Sequence, residues 1–76
     1  MPLFFFDLVD NGHSSPDEEG TQVVDIEQAR LEALRTLGNI ATNELTKSGQ
    51  DDFQVSVRDE NGHVVLTASL LVERRA

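Results

Sequence analysis

The residues best suited to chemistry crowd into one stretch, where Asp10, His13, Asp17, Glu18 and Glu19 precede Gly20. Carboxylates with an imidazole are ligands that divalent cations take. The spacing matches no cation loop, however. An EF-hand sets acids at alternate positions and a glycine at the sixth, and neither Asp7-Leu8-Val9-Asp10 nor Asp59-Glu60-Asn61-Gly62 does so. Loop acids are ordinarily solvated, so no metal ligand is assigned. His13 and His63, the only histidines, each lie in or beside a turn marked by Asn-Gly, where an exposed imidazole is ordinary.

Nucleophilic chemistry finds no better footing. Ser14-Ser15 lacks a Gly-x-Ser-x-Gly elbow, and no Ser-x-x-Lys occurs. Thr46-Lys47-Ser48 holds the residue types expected where a helix ends. The five glycines are dispersed and form neither a phosphate loop nor a dinucleotide fingerprint. A chain of 76 residues also struggles to enclose the roughly 300 Å³ that small-molecule sites usually need. No catalytic residue, no cofactor and no enzymatic activity are therefore expected.

Composition narrows the partners. Six Lys plus Arg against fourteen Asp plus Glu give a net charge of −8. The asymmetry is positional: before Arg30 stand Asp7, Asp10, Asp17, Glu18, Glu19, Asp25 and Glu27 without a single Lys or Arg. Nucleic-acid binding needs a basic stripe that releases phosphate counterions, and an anionic membrane surface repels the same charge. Direct contact with either is not expected. Hydrophobic residues at 38% and charged residues at 26% mark a globular chain. The apolar runs Leu3-Phe6 and Leu70-Val72 fall far short of the ~20 residues of a membrane helix, and no signal peptide is expected from the opening residues. The absence of cysteine rules out disulfides and Cys-based zinc sites and suggests a reducing cytoplasm.

Those residues must be carried by few elements. Leu3-Phe4-Phe5-Phe6-Asp7-Leu8-Val9 reads as a strand with Phe4, Phe6 and Leu8 toward the core and Leu3, Phe5, Asp7 and Val9 on a wetter face. Residues 10–20 read as a loop, and Thr21-Gln22-Val23-Val24 as an extended lead-in or short edge strand. A helix follows. Asp25 is its N-cap and Gln28 completes a capping-box spacing; Lys47 and Gly49 suit its C-terminal end. Its apolar stripe is Ile26, Ala29, Ala33, Leu34, Leu37, Ile40, Ala41 and Leu45, with Arg30 required to snorkel or pair and Gly38 a mid-helix cost.

A hairpin closes the chain. Asn61-Gly62 suggests a two-residue type I′ turn. That turn sets Val57 against Leu66, Val55 against Ala68 and Phe53 against Leu70 on one face, with Arg58 against Val65 and Ser56 against Thr67 on the other. The expected fold is α+β and a single domain over residues 1–76: one amphipathic helix on one face of a three- to four-stranded, mainly antiparallel sheet, in the order β-(β)-α-β-β.

The opening Met-Pro-Leu-Phe-Phe-Phe-Asp-Leu, the stretch Pro16-Asp-Glu-Glu-Gly20-Thr, then Asp25-Ile-Glu-Gln-Ala-Arg and the hairpin Val57-Arg-Asp-Glu-Asn-Gly62 together resemble a known family. It is the family of short alphaproteobacterial proteins of unknown function, common in rhizobia and their relatives. Members open with Met-Pro-x-Tyr-Phe-Phe-Asp, and Phe4 stands here where tyrosine is usual. The resemblance spans nearly the whole chain and implies a bacterial, cytoplasmic protein; it supplies no activity, cofactor or site. The order of elements is also similar to antitoxin-type domains of the HicB kind, which dimerise and bind a small basic toxin.

Two surfaces are the binding candidates. One is the uncovered sheet face with Leu3, Phe5, Val65 and Leu71, where apolar groups on a small core favour self-association. The other is the acidic surface of Asp10, Asp17, Glu18 and Glu19. The leading functional expectation is a non-catalytic, homodimeric interaction module. The alternatives are an acidic, antitoxin-like partner that sequesters a small basic protein, and a protein that binds a divalent cation through the 10–20 loop.

Overall fold

The computed structural model describes residues 1–43 and 50–73. Strand β1 (Leu3–Asp10) turns into β2 (His13–Ser15), and a loop leads to β3 (Thr21–Gln22), helix α1 (Ile26–Asn43), β4 (Gln50–Arg58) and β5 (Val64–Glu73). The strands form one antiparallel five-stranded sheet in the order β2-β1-β4-β5, with β3 also on β1. This is the expected α+β fold with a larger sheet: residues 13–15 are a strand, whereas the sequence suggests loop, and Thr21–Gln22 is the short edge strand.

The core forms where the three apolar stripes meet. Phe53, Val55 and Val57 of β4 are fully buried between Phe4 of β1 and Ala29, Ala33 and Leu37 of α1. Phe6, Leu8, Leu66, Ala68 and Leu70 pack partly buried against them. The helix lies across β4 and β5, which explains why the central β4 carries the most completely buried side chains. The helical stripe is narrower than its periodicity suggests. Ile26, the first residue of the helix, and Leu34, on its flank, remain 49% and 45% exposed. Val23, just before the helix, is buried instead, and its N–H donates to the Pro2 carbonyl.

The helix begins as its cap residues require. Asp25 Oδ1 accepts the Gln28 N–H at 2.9 Å, while Gln28 Oε1 reaches back to the Val24 N–H at 2.6 Å. The reciprocal bond thus lands one residue earlier than in the usual capping box. Arg30 resolves its position by pairing with Glu27 at 2.6 Å. The expected helix end at Lys47 and Gly49, and Leu45 on the stripe, lie outside the described residues.

The hairpin register holds at Phe53–Leu70, Val55–Ala68, Ser56–Thr67 and Val57–Leu66, but not at Arg58, which pairs with Val64 rather than Val65. The cause is the turn. Only Gly62 has a positive φ, 87°, and the Asp59 N–H donates to the His63 carbonyl at 2.9 Å. The loop therefore has three residues, Glu60 to Gly62, as in a type I turn followed by a left-handed glycine. A bulge at Val65, between the pairs Arg58–Val64 and Val57–Leu66, then restores the register. The two-residue turn with both residues at positive φ sits instead at Asn11-Gly12 (48° and 89°), where it joins β1 to β2.

Candidate functional site

The sheet face away from the helix carries a charged cluster that the sequence alone does not bring together. Asp7 of β1 and Arg58 of β4 lie on neighbouring strands, and Arg58 donates through Nε to Asp7 Oδ2 at 2.6 Å and through Nη2 to Asp7 Oδ1 at 3.1 Å. This two-point fork matches guanidinium and carboxylate geometry. Arg58 also donates to the Asp17 carbonyl at 3.0 Å and lies 4.8 Å over the Phe5 ring. The clue in the sequence is that Asp7 interrupts the apolar run of β1 and Arg58 is the one basic residue of β4; their pairing needs the strand order, which the sequence leaves open.

Asp17 closes this cluster and seals a strand edge. The Asp52 carbonyl of β4 accepts the Asn11 N–H, so even-numbered residues of β4 bond toward β1 and odd-numbered ones toward β5. By the same alternation, even-numbered residues of β1 point to its outer edge. There β2 pairs with residues 8–10 and β3 with residues 3 and 4, leaving the Phe6 N–H between them. Asp17 Oδ2 accepts it at 3.0 Å, while Asp17 Oδ1 accepts the N–H groups of Glu19 and Gly20, each at 3.1 Å. Its own N–H donates to Asp7 Oδ1 at 2.9 Å.

These bonds set the ionisation. Arg58's hydrogen bonds hold the Asp7 carboxyl below its ordinary range against a smaller effect of burial, and Asp7 raises the Arg58 guanidinium in turn. Burial pushes the Asp17 carboxyl up, but the N–H groups of Phe6, Gly20 and Glu19 together outweigh it and lower its pKa. Both carboxylates and the guanidinium are engaged with each other or with backbone.

The two expected surfaces come out differently. Leu3 and Phe5 are half-buried, because the 16–20 loop folds back over them: a Cβ on Gly20 would stand 3.0 Å from each side chain. Val65 and Leu71 are exposed at 42% and 53%, joined on the same strand by Val64 and Val72. Val64, as the neighbour of Arg58, takes the outer-face place expected for Val65. The structure thus separates the four residues into a covered pair on β1 and an exposed set on β5. Of the acidic residues, Glu18 and Glu19 are exposed, Asp10 pairs with His13 in the strand ladder, and Asp17 is turned inward. Among the described residues, no three His, Cys, Asp or Glu converge to hold a metal ion. No helix among them is long and apolar enough to cross a membrane.

This arrangement, one helix on a five-stranded antiparallel sheet with a charged clamp on the open face, defines a small α+β domain. The chain belongs to the family described as a domain of unknown function, DUF6894, whose profile matches residues 3–71. Neither a curated protein nor a solved structure matches it.

Proposed function

We propose that this protein is a non-catalytic interaction module that works as a homodimer. The observation that carries the reading is the apolar strand β5, where Val64, Val65, Leu71 and Val72 stand exposed, while among the described residues only eight hydrophobic side chains are buried. Apolar side chains left exposed along one strand of so small a domain favour association. The groups best able to do chemistry, Asp7, Asp17 and Arg58, serve architecture: each bonds another or the backbone. A cysteine-free chain of the bacterial type suits a reducing cytoplasm.

The test is sedimentation velocity over a dilution series of the wild type and Leu71→Glu. The wild type should dissociate only on dilution, and the variant should be monomeric at concentrations where the wild type is dimeric. A wild type that sediments as a monomer at every concentration would remove the reading. A second reading, an acidic partner for a small basic protein, keeps the exposed Glu18 and Glu19. It requires binding to a defined basic polypeptide that is weakened by salt and by Glu18→Gln/Glu19→Gln.

A further inference from the structure

The two edges of the sheet are treated in opposite ways. The β1 edge is closed by β2, by β3 and, between them, by the Asp17 carboxylate. The β5 edge is bare: among the described residues no strand pairs with its far side. Sheet edges are ordinarily protected by charge, proline or a short strand. β5 has ten residues, no proline and no charge before Glu73. Residues 61–72 are the longest stretch without Asp, Glu, Lys or Arg in a chain of net charge −8. Along it two acidic copies can meet without like charges set opposite each other.

The strand is also its own complement. Read from either end about Ala68, the regular part of β5 has the same chemistry: Leu66 mirrors Leu70, Thr67 mirrors Ser69 and Val65 mirrors Leu71. An antiparallel pair of identical strands related by a two-fold axis at Ala68 sets each residue opposite its mirror. Leu66 and Leu70, half-buried at the margin of the core, then meet on the helix side, and Thr67 meets Ser69 on the other. The hydrogen-bond alternation agrees. Odd-numbered residues of β4 bond toward β5, so Ala68 faces Val55, and the N–H and C=O groups of Thr67 and Ser69 point outward, free to bond a second copy.

The helices fit the same axis. With strands about 4.8 Å apart, a helix lying over β4 and β5 stands about 10 Å from its symmetry mate, within the usual range of helix packing. β3 and β4 flank β1 in the same direction, and the right-handed rule for such crossovers turns the helix flank of Leu34 and Ala41 toward the β5 edge. Leu34 is 45% exposed there, while Glu32 and Thr36 on the opposite flank are half-buried. We infer that the seam of the homodimer is the β5 edge, paired antiparallel with β5 of a second copy about Ala68 into one continuous ten-stranded sheet.

This inference rests on the homodimer reading and is separable from it by three variants of the full chain, followed by light scattering. Ser69→Pro removes an outward N–H and leaves the bonds to β4 intact; it should be folded by circular dichroism and monomeric at concentrations where the wild type is a dimer. Phe5→Glu alters the open face away from this edge and should remain dimeric. Ala68→Cys places two thiols opposite each other across the axis, about 4.5 Å apart at Cα, within disulfide range. In a chain without other cysteines it should oxidise almost completely to a covalent dimer, far beyond a Thr42→Cys control on the helix surface. A folded, dimeric Ser69→Pro, or an Ala68→Cys yield no higher than the control, overturns the edge seam while leaving dimerisation standing. If Ser69→Pro does not fold, the cross-linking yield decides alone. A monomeric wild type overturns both.

Discussion

At the scale of single residues, Asp17 does more than its place in an acidic loop suggests. Its carboxylate accepts three backbone N–H groups, and its main chain bonds Asp7 and Arg58. Replacing it with alanine leaves the Phe6 N–H without its partner. Asp17→Ala should cost about 1–2 kcal/mol, discounted for its partial exposure, measured by urea unfolding. Asp7 and Asp17 both ionise more readily in the folded protein than their ordinary values near 3.9. Their contribution is therefore complete above about pH 4 and is lost as pH falls through the lower folded values. Thermal melts from neutral pH downward should show stability declining in that acid range, and the decline should be shallower in Asp17→Ala. Gly20, at φ 77° and against Leu3 and Phe5, has no room for a side chain. Gly20→Ala should cost about 1–2 kcal/mol from its left-handed backbone, before any clash. The sequence shows these residues as loop acids and a turn glycine. Their roles depend on a strand edge that exists only once β2 and β3 have both paired with β1.

At the scale of elements, the helix and the hairpin were the most legible parts. Asp25 and Gln28 cap the helix as their spacing suggests, and the β4–β5 register follows the alternation of Phe53, Val55 and Val57. What misleads is the turn. Asn-Gly occurs twice, and the two copies differ in what lies two residues before the asparagine. At Asn61 that residue is Asp59, whose Oδ1 accepts the N–H groups of Asn61 and His63, each at 2.9 Å, and so stabilises a three-residue loop. At Asn11 it is Val9, which offers no such acceptor, and the tight two-residue turn forms. The same side-chain competition with backbone bonding explains the shifted partner of Arg58. In the helix, Gly38 has nothing within 4 Å of the place a Cβ would occupy. Gly38→Ala should therefore stabilise the protein by about 1 kcal/mol, seen as a raised urea midpoint with an unchanged slope.

At the scale of the whole molecule, the core is small and concentrated on β4, so it has little redundancy. Phe53 is completely buried, and Phe53→Ala should cost about 3–5 kcal/mol. A domain of 76 residues has only about 4–11 kcal/mol in total at the usual per-residue stability. Far-UV circular dichroism of this variant should show a largely unfolded or strongly destabilised chain. The same economy gives the exposed β5 its weight: the monomer leaves the margin of its core, Leu66 and Leu70, half-covered. The apolar content of that strand was legible in the sequence, and so was an expectation of self-association. Its position at a bare edge was not, since alternation alone assigns Val65 and Leu71 to a face and says nothing of which strand is outermost. The charge distribution was legible in part: Glu18 and Glu19 are exposed as an acidic loop suggests, whereas Asp17 is consumed by the fold. The most direct measurement is the molar mass of the purified wild-type protein by light scattering across a concentration series. A homodimer appears as a species of twice the 8.4 kDa chain mass that falls toward the monomer only on dilution, and a constant 8.4 kDa at all concentrations would contradict it.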